Sequence, residues 1–157
     1  MIKIVIVGMI MFENQSEFPD ENLFTCPPLE ANDAENLTMY KFNDRDTAPS
    51  KYLEPMINKG KKDPDNDDQR CRMFGHSVYL DYKFIADMIG VKSKISKGTP
   101  EKWRYVFEFQ GSSSSKILST PSNRYKNHHT YWHFGNDNIQ YKYVCAVDEI
   151  RRENNGD

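Results

Sequence analysis

Alternation constrains this chain more than any other feature. Trp103, Tyr105, Phe107 and Phe109 fall on every second position, interleaved with Arg104, Val106, Glu108 and Gln110. Side chains of an extended strand point to opposite faces in turn, so the run predicts a strand with one aromatic face and one mixed face. Ser77 to Phe84 repeats the pattern, with Val78, Leu80, Tyr82 and Phe84 against Ser77, Tyr79, Asp81 and Lys83. Leu37 to Phe42 is a shorter case, with Leu37, Met39 and Lys41 opposite Thr38, Tyr40 and Phe42. Aromatic residues make up 13% of the chain and leucine is sparse, a mix that suits a pleated surface better than a helix.

The stretch His128 to Cys145 reads as a β-hairpin. A two-residue turn at Asn136-Asp137 would set Phe134 opposite Ile139, Trp132 opposite Tyr141 and Thr130 opposite Tyr143. These pairs share one side of the ribbon, expected to be core. The other side then carries His129, Tyr131, His133, Gln140 and Lys142, and is the predicted binding face.

Between these runs the chain is polar and rich in proline. Residues 13–35 contain Pro19, Pro27, Pro28 and many acids, and residues 43–70 contain Pro49, Pro55 and Pro64. Both read as long surface loops, with a helical turn possible in 51–58 and Lys59 to Asp68 expected to be mobile. Met1 to Phe12 is rich in Ile and Val and reads as a central strand, with Gly8 marking a bulge. A short helix is expected at Phe84 to Ile89, closed by Gly90, and an edge strand at Ile117 to Ser119. The sum is about six or seven strands with one or two short helices. That favours a mainly β fold, an antiparallel sandwich or partly open barrel, with α+β as the alternative. A chain of 157 residues fits one domain, 1–150, followed by a solvated tail at 151–157.

Three cysteines, Cys26, Cys71 and Cys145, are too few for a disulfide scaffold and none sit at CxxC spacing. Cys71 and Cys145 are expected to be inert buried thiols in a reducing, cytoplasmic setting. The N-terminal apolar run lacks a basic leader and a cleavage site, and falls short of the ~20 residues that cross a bilayer.

His129 and His133 are the candidate acid–base pair. Four residues apart on a strand they are ~13 Å apart, too far for one metal ion with bonds of roughly 2.0–2.1 Å. No metal and no cofactor is therefore expected. Asp63, Asp65 and Asp67 open like a calcium loop, but Pro64 interrupts them and Phe74 stands where glutamate belongs, so a solvated loop is the expectation. Gly111 to Lys116 lacks the second glycine of a phosphate loop, and no serine–histidine–acid set is evident. A formal net charge of -2 disfavours nucleic acid as partner.

Two functions follow. The first is a non-catalytic protein-binding or assembly module (inhibitor, adaptor or component of a larger complex), using aromatics expected to be exposed, such as Tyr40, Tyr79 and Tyr131, and the long loops, with a protein partner or self-assembly. The alternative is a small enzyme or ligand-binding protein for a phosphorylated or nucleotide-like compound. In it His129 and His133 would supply acid and base, and Lys142 would steady negative charge.

Overall fold

The computed structural model describes residues 11–49, 64–88, 103–123 and 125–154. Among the described residues seven strands build two antiparallel sheets, as the alternation implies, and both are open rather than closed into a barrel. In chain order they are β1 (Asn32–Asp33), β2 (Thr38–Asn43), β3 (His76–Val78), β4 (Tyr105–Gln110), β5 (Lys116–Ser119), β6 (His129–Trp132) and β7 (Lys142–Ala146). One sheet has the order β1-β5-β6-β3 and the other β2-β4-β7. Helix α1 spans Asp67–Met73 and α2 Val147–Asn154, with 3-10 turns at Gln15–Glu17 and Lys83–Met88. No helix among the described residues is long and apolar enough to cross a membrane.

The strand β2 pairs with β4 in unbroken register from Thr38 opposite Gln110 to Asn43 opposite Tyr105. Alternation then sends Met39 and Phe109 to one face and Phe42 and Val106 to the other. The first pair joins Ala34, Val78, Ile117 and Tyr131 in a core between the two sheets. The second joins Tyr79, Ile85, Trp103, Val147 and Ile150 in a core beneath the helical segments. The three-stranded sheet is thus the middle layer, and both faces of its alternating sequence are used. Tyr40 and Tyr79 exchange backbone hydrogen bonds of 2.8 and 2.9 Å, tying the two sheets together at one edge.

Several features depart from the sequence reading. The run at 77–84 is a strand only to Val78, because Asp81 accepts the Lys83 amide and turns the chain into the 3-10 segment. Within the expected loop 43–70, α1 begins at Asp67. Asn66 caps it by accepting the Gln69 amide, Asp67 and Asp68 stand in the first turn, and Arg70 and Arg72 stand in the last. Each of these complements the helix ends. At the C-terminal end Val147 and Ile150 bury one side of α2, which runs through residues expected as tail. The strand β5, expected at an edge, is paired on both sides. The expectations for residues 1–10 and 51–58 lie outside the described residues.

The hairpin is overturned. β6 pairs with β5 and β3, whereas β7 pairs with β4 in the other sheet. The chain between them arches from sheet to sheet. Both sides of β6 are filled by β3 and β5, and beyond its end the chain is met by the segment 11–13. There Phe12 bridges Phe134, Glu13 donates to the His133 carbonyl and Gly135 donates to the Met11 carbonyl.

The cysteine reading is also corrected. Cys26 and Cys71 are joined in a disulfide, with Cα atoms 5.7 Å apart, and Cys145 keeps its thiol. Sequence spacing could not show this, because the two residues meet only when the 20–30 loop folds over α1.

Candidate functional site

His129, Tyr131 and His133 do share a face, as strand alternation requires, but it is the face turned toward the second sheet. Tyr131 is 0% exposed and His133 5%. The opposite face is covered too: Trp132 lies beneath α1 and donates its indole N–H to the Cys71 carbonyl at 3.0 Å. Tyr141 packs on Phe107 and Phe109 instead of on Trp132. Gln140 and Lys142 are exposed, and Lys142 lies on β7 opposite Glu108, in the other sheet from His129. The five residues therefore do not converge.

The buried members are consumed by the fold. Nε2 of His133 donates to the Asp137 carbonyl at 2.8 Å, so its Nδ1 accepts from the Tyr131 hydroxyl at 2.8 Å. That hydroxyl in turn accepts from the Ser112 amide, and Ser112 Oγ donates to the Phe134 carbonyl at 2.7 Å. The network staples the arch to the turn after β4. His129 donates Nδ1–H to the Asn127 carbonyl.

A second buried chain was not foreseen. His76, 3% exposed, sits between Lys41 on β2 and Glu13. The Lys41 ammonium donates to Nδ1 at 2.9 Å, which leaves Nε2–H to donate to Glu13 Oε1 at 2.8 Å. Burial first, and then the Lys41 charge, push the His76 imidazole down to about 4, so it is neutral near pH 7. Burial pushes the Glu13 carboxyl up, but the His76 hydrogen bond and the charges of its neighbours, Lys41 among them, outweigh it and leave Glu13 below the usual range. Both ring nitrogens of His76 are occupied, and the arrangement holds the 11–13 segment to the core. Beside it Met11, Phe12, Glu13 and Gly135, Asn136, Asp137 and Asn138 line a shallow pocket of about 160 Å³. Among the described residues no cluster of His, Cys, Asp and Glu is arranged to hold a metal ion.

On the surface, the loop from Asp20 to Ala31 has the most unusual chemistry. Leu23 is 76% exposed and Leu29 87%, with Asp20, Glu21 and Glu30 beside them in sequence. The loop is fixed by the Cys26–Cys71 disulfide. At its base Arg70 donates to the Glu17 carbonyl at 2.7 Å and meets the Glu17 carboxylate at 3.3 Å. Residues 13–35 contain seven acidic residues and no lysine or arginine. Comparison with protein-family models, curated proteins and solved structures gives no match.

Proposed function

We propose that this chain is a protein-binding module whose contact surface is the loop Asp20 to Ala31. The observation that carries the reading is the pair of leucines, held almost wholly in water on a loop that a disulfide fixes in advance. A loop ordered before binding loses less entropy when it docks. Its acidic setting fits a partner that offers apolar pockets rimmed by lysine and arginine, where charge complementarity sets on-rate and specificity. The disulfide supports work in an oxidising compartment instead of the reducing one expected from cysteine count. The enzyme alternative draws less support, because Tyr131 and His133 are buried and hydrogen-bonded inside the fold.

The test is a peptide-display library panned on the wild-type protein, with enriched binders measured against Leu23→Asp/Leu29→Asp. Both leucines are exposed, so the variant should keep its thermal stability. Burying one leucine contributes about 1.5–3 kcal/mol, so affinity should fall at least tenfold and should weaken with added salt. Binders that hold the variant as tightly as the wild type, or a library that yields none, would remove the proposal.

A further inference from the structure

The outer face of the four-stranded sheet carries a hydrogen-bonded chain ending at an exposed serine. Thr120 and Thr130 are buried, and their hydroxyls meet at 2.9 Å. Nδ1 of His128 lies 2.9 Å from Thr120 Oγ1 and 3.1 Å from the Thr120 carbonyl. A carbonyl can only accept, so Nδ1 bears the proton. Nε2 is then a lone pair, and it lies 2.9 Å from the hydroxyl of Ser77, a residue 51 positions away in sequence. The strand β3 is the outermost of its sheet, and Ser77 is its exposed residue.

The ring is held on more than one side. Tyr79 meets it edge-on, with centroids 5.7 Å apart, and the backbone amide of Thr120 donates to the His128 carbonyl at 3.0 Å. Burial first lowers the imidazole below its ordinary range, Thr120 opposes this, and the charges of His129 and Arg72 lower it further. The ring is therefore neutral near pH 7, the state a general base requires. Arg72, which carries one of these charges, is paired with Asp68 on α1 at 3.1 Å.

We infer that Ser77 is a nucleophile activated by His128, accepting acyl groups from small carboxylic esters with good leaving groups. A nucleophile bonded to a base, and a base oriented by a third group, is the arrangement such chemistry needs. In the first step Ser77 Oγ bonds to the ester carbonyl carbon and its proton passes to Nε2. The carbon–oxygen bond to the leaving group then breaks, and the departing alkoxide or phenoxide takes that proton. Water, deprotonated by the same nitrogen, releases the acid and restores the serine. The inference goes beyond the binding reading and stands without it, since Ser77 lies outside the leucine loop.

The test uses the full chain and p-nitrophenyl acetate, with p-nitrophenol release followed by absorbance and the adduct located by mass spectrometry of peptides. An acetyl group on Ser77 is expected, absent in Ser77→Ala, whose exposed position leaves the fold intact. His128→Gln should slow the reaction by about 100-fold or more, the scale of general-base catalysis. Should that variant fail to fold, Ser77→Cys replaces it. There the introduced thiolate, stabilised by His128, should react with iodoacetamide below neutral pH faster than Cys145 does. Acetyl groups spread over lysines and tyrosines, a rate that Ser77→Ala leaves unchanged, or an introduced thiol no faster than that of Cys145, would each overturn the assignment.

Discussion

Gly111 shows how one residue can decide whether two segments meet. It follows β4 directly, and its amide donates to the Leu37 carbonyl while its carbonyl accepts from Asn36. A Cβ built there would fall 1.8 Å from the Ala34 carbonyl oxygen, a backbone atom that cannot swing aside. Ala34 is itself fully buried in the inter-sheet core. Overpacking of this kind costs about 1–3 kcal/mol or more, and each kcal/mol lowers the melting temperature of a domain this size by about 2–4 °C. Gly111→Ala should therefore lower the melting temperature by several degrees; calorimetry showing no change would mean the two segments are not in contact. None of this was readable from the glycine alone, which reads as a flexible hinge in a run of serines.

At the scale of the element, the disulfide ties a loop to a short helix across a sequence separation of 45. Chain-entropy arguments place the stabilisation from closing a loop of that length at about 4 kcal/mol. Cys71→Ser, or reduction with a phosphine, should lower the melting temperature and open the 20–30 loop to protease before the sheets melt. Equal stability and equal protease resistance with and without reductant would contradict the bond. The helix it grips was legible: Asn66 followed by Gln69, acids in the first turn and arginines in the last are start and stop signals that the surrounding prolines obscured. The disulfide was not legible, because no spacing rule relates Cys26 to Cys71. The arch between β6 and β7 was hidden for a similar reason. Its alternating sequence fits a hairpin equally well, and the choice was made by β3 and β5, which flank β6, and by β4, which pairs with β7.

Across the whole molecule, stability should fall in acid for a defined reason. The folded His76 titrates at about 4 against an ordinary 6.5. Its contribution is thus complete above the unfolded value and is lost as the pH falls from about 6.5 toward about 4. Each pH unit in that window removes about 1.4 kcal/mol for one such group. Glu13, lowered in the fold, acts in the same direction at lower pH, since its contribution is present above its ordinary value and lost below it. Melting temperature should therefore drop through this window more steeply in the wild type than in His76→Gln, measured by circular dichroism. Parallel slopes would show that His76 does not titrate as its burial demands.

What the sequence determined by itself is the local grammar. Period-two alternation made β2, β4 and the ends of β3 and β6 strands, because each pleat must send successive side chains to opposite faces. Aromatic and β-branched content made the fold mainly β. Tertiary structure alone decided which strands are neighbours, and hence which face is interior. Tyr131 and His133 are polar enough to read as a working surface, yet they lie between the sheets because Ser112, Phe134 and Asp137 supply their hydrogen bonds there. Ser77 and His128 read as unrelated, yet pairing of β3 with β6 brings them to 2.9 Å. Alternation fixes the direction of a side chain relative to its own strand, and only the packing of distant segments fixes what that side chain meets.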